Sequence, residues 1–270
     1  MGILKDRQLR ATDVRYLNDS QEFVYAIDLA TTYLKEQSLK CGDDKRQAFA
    51  EYTLNYLNAK DNIVAILTTP SFVASFSEED DLLSQWRGYC PSGNGFSICF
   101  SFDRISQLTK AHGWQLKQCI YEKDEQNALL KQSEQDAMTN PMSLQGIKST
   151  PSDELWRSAM TFVNWLVSHG LSLKHPKFKQ EKEWRAFYTD IAIDIPNAAA
   201  ISIREGKSSL VPYIGFPLTL SDSEVMQIES LVISPTPDKE LAKTAARYLL
   251  NSKRMYSVDI KPSQIPYRHW

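Results

Sequence analysis

No stretch of this 270-residue sequence stays apolar for the roughly 20 residues that a membrane-spanning helix requires. The first residues, Met1-Gly2-Ile3-Leu4-Lys5-Asp6-Arg7, lack the apolar core of a secretory signal. Basic charge is not in surplus: 31 Lys and Arg stand against 33 Asp and Glu, a formal charge of -2. That balance argues against non-specific nucleic-acid binding, which depends on many phosphate contacts, and leaves room only for a local basic groove. The four cysteines, Cys41, Cys90, Cys99 and Cys119, form no Cys-x-x-Cys pair and have no histidine at ligand spacing. They read as free thiols of a reducing cytoplasm, and no metal site is expected. His112, His169, His175 and His269 sit at breakers or the chain end, as helix-end and loop residues do. Ser92-Gly93-Asn94-Gly95 has neither a third spaced glycine nor a phosphate-loop lysine, so it reads as a turn between strands.

What is present is an ordinary globular composition, 42% hydrophobic and 24% charged, long enough to bury a large core. Asp19 three residues before Glu22 has the spacing of a capping box. Apolar residues then recur at helical spacing, predicting a helix over about 20–37, with a second over 45–58 and a third over 153–168. Alternating segments at 9–14, 71–77, 96–102, 114–121, 191–195, 199–204, 210–216 and 228–233 predict strands, and a helix follows over 237–250. From Glu122 to Ser152 the sequence turns polar and reads as a solvated helix with a mobile loop. Helices crowd the first half and strands the second. The expected class is α+β: a single compact domain over 1–270, with a central mostly antiparallel sheet flanked by helices.

Two segments carry chemistry. In the first, Phe72, Ala74, Phe76, Phe96, Ile98 and Phe100 would share a buried face, while Ser75, Ser77, Ser97, Cys99 and Ser101 line the other. Between these strands, Glu78-Glu79-Asp80-Asp81 reads as the acidic start of a short helix, with a divalent-cation site as the alternative. That helix carries Trp86, Arg87 and Tyr89, suited to core packing or to stacking on a base with Arg87 on phosphate. In the second segment, a strand starting near Glu181 would set Glu181, Glu183 and Arg185 on one face and Trp184, Ala186 and Tyr188 on a core face. Neighbouring carboxylates of this kind suit hydrogen bonding to a ribose and stabilisation of an oxocarbenium-like transition state. The plainer alternative is a solvated strand edge whose charges discourage pairing.

The ordered set Ser75-Phe76-Ser77, Leu83-x-x-Trp86-x-x-Tyr89, Gly95-Phe96-x-Ile98-x-Phe100 and Glu181-Lys182-Glu183-Trp184-Arg185 resembles a widespread bacterial family, the domain of unknown function 2971. Leu9-x-Ala11-Thr12, Tyr16-Leu17-Asn18-Asp19-x-x-Glu22 and Ser263-x-Ile265-Pro266-Tyr267-Arg268 extend the resemblance over nearly the whole chain. A serine strand followed by Glu-x-Glu is also similar to the pattern of NAD-dependent ADP-ribosyltransferases. This second resemblance implies that Ser75 and Ser77 line a nicotinamide-ribose pocket, that Glu183 is the catalytic carboxylate and that Glu181 orients the acceptor. It further implies that Trp86 or Tyr89 stacks on nicotinamide and that Arg185 or Arg87 holds pyrophosphate. The transferase fold also uses an Arg or His on its first strand. In the bacterial family a His-Tyr-Thr strand precedes the segment matching Gly2-Ile3-Leu4, a position before Met1 here. Either the activity is absent, or Arg10 or Arg15 supplies that group, or the start lies upstream.

The expected function is a cytoplasmic NAD-consuming transferase or glycohydrolase, as in toxins or phage-defence effectors, with a small-molecule or macromolecular acceptor and NAD as substrate. The alternative is a non-catalytic ligand- or partner-binding module. A nuclease ranks third, since no carboxylate cluster has metal spacing.

Overall fold

The computed structural model describes residues 2–17, 22–40, 42–68, 70–90, 95–143, 151–189, 201–206 and 209–266. A short helix α1 (Gly2–Asp6) leads into strand β1 (Gln8–Asp13). Three helices follow, α2 (Glu22–Ser38), α3 (Asp44–Asn58) and α4 (Lys60–Thr68). In α2, Ala26, Ile27, Ala30, Tyr33 and Leu34 are all buried, which is the one-sided stripe their spacing predicts. The expected capping box at Asp19 lies outside the described residues.

Strand β2 (Ser71–Ser77), helix α5 (Leu83–Tyr89), strand β3 (Phe96–Cys99), helix α6 (Phe102–Ala111) and strand β4 (Gln115–Gln118) come next. They are followed by helices α7 (Lys123–Thr139) and α8 (Pro151–His169), and by strands β5 (Glu183–Thr189), β6 (Ser202–Glu205) and β7 (Leu210–Pro217). Strand β8 (Ser230–Ile233), helix α9 (Lys239–Ser252) and strand β9 (Asp259–Pro262) complete the order. The strand expected over 191–195 and the turn over 92–94 lie outside the described residues.

Among the described residues six strands form one antiparallel sheet in the order β4-β5-β2-β1-β7-β6, and three form a second in the order β3-β8-β9. The mixed α+β class and the mostly antiparallel sheet are as the sequence predicts, with β8 and β9 the parallel pair. One pairing differs. Strands β2 and β3 lie in different sheets, so Ser97, Cys99 and Ser101 do not continue the face of Ser75 and Ser77. Ser101 instead caps α6, accepting from the Arg104 N–H at 3.2 Å. Phe76 and Phe100 still meet edge to face across the sheets, 6.4 Å between centroids.

The large sheet is covered on one face and partly covered on the other. One face, through Ala11, Phe72, Ala74, Ala186, Ile214 and Phe216, packs against α6, α9 and the second sheet. The other presents Val73 and Phe187 to Val14 and Leu171, beneath the helical layer built from α2, α3, α7 and α8. Each fully buried phenylalanine contributes about 1.5–3 kcal/mol. The polar stretch expected to be solvated is not so in its helical part: α7 buries Gln126, Leu130, Ser133, Glu134 and Ala137. Arg46 binds the fully buried Glu134 with both Nε (2.7 Å) and Nη2 (2.5 Å), and the Tyr33 hydroxyl donates to the same carboxylate. A polar lock thus joins α2, α3 and α7. Residues 144–150 lie outside the described set.

No helix among the described residues is long and apolar enough to cross a membrane.

Candidate functional site

The β2–β5 ladder decides where the singled-out residues meet. Ser75 lies directly opposite Arg185, and Ser77 opposite Glu183. Directly paired residues of an antiparallel ladder project to one side, so both serines share a face with Glu183 and Arg185. Thr12 of β1 pairs with Val73 and with Tyr213 of β7, which continues that face across the sheet. Arg10, two residues before Thr12, belongs to it as well.

The strand does not begin at Glu181. Residues Pro176–Glu181 form a 3-10 turn, and Lys182 takes the left-handed conformation at φ 42°, uncommon for a residue with a side chain. Ser77 holds this turn in place, its hydroxyl donating to the Glu181 carbonyl at 2.7 Å and accepting from the Glu79 N–H at 3.0 Å. The direction of the strand face also differs from expectation. Glu183 and Arg185 do not project into water; they are 5% and 2% exposed, under the helical layer. The sheet has two buried faces here, and period two cannot tell a solvated polar face from a buried polar one.

Lys174, which sequence reasoning passed over, organises the carboxylates. Its Nζ donates to Glu181 Oε2 at 2.7 Å and to Glu183 Oε2. Arg185 closes on Glu183 from the strand, Nε to Oε1 at 2.8 Å and Nη2 to Oε2 at 3.1 Å, while Nη1 donates to the Leu171 carbonyl at 2.7 Å. Two anions and two cations therefore balance. The backbone of Lys174 is fixed twice: its N–H donates to the Ile120 carbonyl at 3.1 Å, and its carbonyl accepts from Gln126 Nε2 at 2.9 Å. Gln126, fully buried in α7, thus ties the helical layer to the charge cluster. No periodicity marks Lys174, which stands in irregular chain before Pro176.

Burial by itself would push the Glu183 carboxyl up. The charge and hydrogen bonds of Arg185, followed by those of Lys174, outweigh it and hold the group at about 2. Glu183 is therefore an ionised, fixed carboxylate and not a proton acceptor at neutral pH. The Tyr121 hydroxyl accepts from the Glu183 N–H at 2.9 Å, and burial pushes its own titration up to about 12. On β4, Lys117 is directly opposite Arg185, and its Nζ lies 5.4 Å from the centre of the Phe187 ring. That Nζ is buried with no hydrogen-bond partner among the described residues, and burial brings its titration down to about 8.

Elsewhere the face is open. Ser75 and Arg10 are exposed, with Tyr213 and Arg204 half-buried beyond them. The remaining candidates lie apart. Trp86 is 5% exposed and donates from Nε1 to Asp81 at 2.7 Å, so its ring faces the core. Arg87 and Tyr89 are exposed on α5. Arg15 is occupied by Asp13, at 2.9 Å and 2.6 Å. The acidic run directly precedes α5, as expected, and also serves as an anchor. Asp81 also accepts from the Ser263 hydroxyl and the Gln264 N–H, and Glu78 accepts from Trp184 Nε1 at 2.8 Å.

A family model described as "Protein of unknown function (DUF2971)" matches residues 85–186. The bacterial family resemblance is supported over that stretch. It runs from α5 to β5 and includes Trp86, Lys174, Glu181, Glu183 and Arg185, while Arg10, Ser75 and Ser77 fall outside it. No curated protein and no solved structure matches the chain, so the likeness to ADP-ribosyltransferases rests on the residues alone.

Among the described residues no group of three or more His, Cys, Asp or Glu side chains is placed to hold a metal ion. Cys90 and Cys99 are free thiols. His112 and His169 stand at the ends of α6 and α8, and His175 caps the turn before Glu181.

Proposed function

We propose that the open face beside Glu183 is a nucleotide site and that the chain consumes NAD in the manner of an ADP-ribosyltransferase or NAD glycohydrolase. The observation that carries this reading is the direct pairing of Ser75 and Ser77 with Arg185 and Glu183, on one face of adjacent strands. Had the serines and the glutamate projected to opposite sides, one ribose could not have touched both.

In this reading Ser75 offers an exposed hydroxyl to the ribose. Ser77 shapes the wall by fixing the 181–182 turn. Glu183, ionised and immobile, favours positive charge developing at the anomeric carbon. Glu181 is the more exposed carboxylate of the pair, 22% against 7% at the side chain, and is the one able to turn toward an acceptor. Arg185 serves as partner of Glu183 and leaves pyrophosphate to other cations. A cytoplasmic toxin or phage-defence role suits such chemistry, by resemblance only.

A second reading has its own observation. Both Glu183 oxygens already accept hydrogen bonds from Arg185 or Lys174. This favours a binding module that holds a nucleotide without turning it over.

One experiment separates the two. Purified protein is incubated with NAD, and nicotinamide release is followed for wild type and a folded Glu183→Gln variant. Release that depends on Glu183 is the expected result. NAD-dependent thermal stabilisation without release would establish the binding module instead.

A further inference from the structure

Beyond the charge cluster, the same sheet face carries two guanidiniums that the fold does not use. Thr12 is directly opposite Tyr213, and Arg10 lies over the Tyr213 ring, 5.2 Å from its centre. Arg204 reaches in from the edge strand β6, its Nη2 3.4 Å from Thr12 Oγ1, too long to be a strong bond. Neither arginine has a carboxylate within ion-pair distance among the described residues. By contrast, Arg46 is paired with Glu134, Arg104 with Glu224, Arg15 with Asp13 and Arg185 with Glu183. In a chain of net charge -2, two such cations on one sheet face, beside Thr12 and Tyr213, attract an anion. Gly215, opposite Arg10, carries no side chain, and the Gln8 amide fills the space where its Cβ would lie, 2.1 Å from that position. The floor beside the arginines is therefore polar and uncharged.

We propose that Arg10 and Arg204, arrayed about Tyr213, form a subsite for the diphosphate of an ADP-containing ligand. The assignment rests on the open face being a nucleotide site. Strands stand about 4.8 Å apart, and Tyr213 on β7 lies three strands across from Glu183 on β5 and four residues further along, about 20 Å away. The subsite is therefore separate from Glu183 and is read by its own affinity for a diphosphate. Guanidinium forks match phosphate oxygens in two-point contacts, and the half-buried position of Arg204 limits screening of its charge.

Titration calorimetry with pyrophosphate, ADP and adenosine tests the subsite independently of any turnover. Wild type is expected to bind ADP and pyrophosphate and to bind adenosine far more weakly. In Arg204→Gln and in Arg10→Gln, each shown folded by circular dichroism, ADP affinity is expected to fall about tenfold or more. Arg204→Lys should recover part of the loss, and added salt should weaken binding in wild type more than in either variant. Unchanged ADP affinity in folded Arg204→Gln overturns the subsite. So does adenosine binding as tightly as ADP, or a wild type that takes up neither ADP nor pyrophosphate. ADP binding that depends on Arg204, without nicotinamide release, would keep the subsite and discard the transferase. Nicotinamide release with a KM indifferent to Arg204 would do the reverse.

Discussion

Ser75 and Arg185 face each other across one rung of the β2–β5 ladder, yet the serine is open to solvent and the arginine is 2% exposed. The boundary of the helical layer runs between them. On the Arg185 side, charges are paired and fixed under α7 and the chain around Leu171. On the Ser75 side, the sheet is free to meet a ligand. This edge of cover places a rigid carboxylate beside an accessible hydroxyl.

A bulky residue at position 75 would fill the open side without entering the core. Ser75→Tyr is expected to leave unfolding stability within about 0.5 kcal/mol of wild type. It should abolish stabilisation by NAD in a thermal-shift assay. Full NAD stabilisation in Ser75→Tyr would move the site elsewhere.

Removing the charge at position 183 leaves Arg185 and Lys174 buried beside a neutral group. Glu183→Gln should therefore cost about 3–5 kcal/mol in urea unfolding at neutral pH. The folded carboxyl titrates at about 2, below its ordinary value of 4.5. Its contribution is complete above pH 4.5 and fades as pH falls toward 2. Wild type should lose about 3 kcal/mol more than Glu183→Gln between those limits. Parallel pH profiles for the two proteins would contradict the ion cluster.

Lys117 behaves in the opposite sense. Its folded titration at about 8 is below the ordinary 10.5, so the unfolded chain holds the proton more tightly. Charging this amine costs stability at all pH below 8, and the cost is relieved as pH rises toward 10.5. Lys117→Met is expected to be more stable than wild type at pH 7, with the gap closing at alkaline pH. Calorimetric melting at the two pH values reads this directly.

Trp86 is a core residue, so Trp86→Ala should cost about 3–5 kcal/mol of stability. The milder Trp86→Phe should fold and keep the ADP affinity of wild type in calorimetry. A folded Trp86→Phe that no longer binds nucleotide would restore a stacking role for this ring.

In the helical layer, Glu134→Ala strands the Arg46 guanidinium and the Tyr33 hydroxyl that now converge on it. A loss of about 3 kcal/mol is expected in denaturant unfolding. Nicotinamide release measured well below the midpoint should be unaffected, because the lock touches no residue of the open face.

The sequence alone determined the helices α2, α3 and α8, the strands β2 and β7, the α+β class, and the pairing of small hydroxyls with carboxylates as the chemistry to look for. Each follows from local periodicity, because a helix stripe or an alternating strand is written in residues a few positions apart. Tertiary structure decided the rest. That Ser75 and Ser77 share a face with Glu183 depends on the register of strands more than one hundred residues apart, which no local pattern encodes. The burial of Glu183 and Arg185 depends on a helical layer whose edge falls at Leu171, and the same alternation would describe a solvated strand. Lys174 and Arg204 became visible only as partners in space. Local spacing sets which way a side chain points from its own strand, whereas only the packing of distant segments decides whether it meets water, a counter-charge or a ligand.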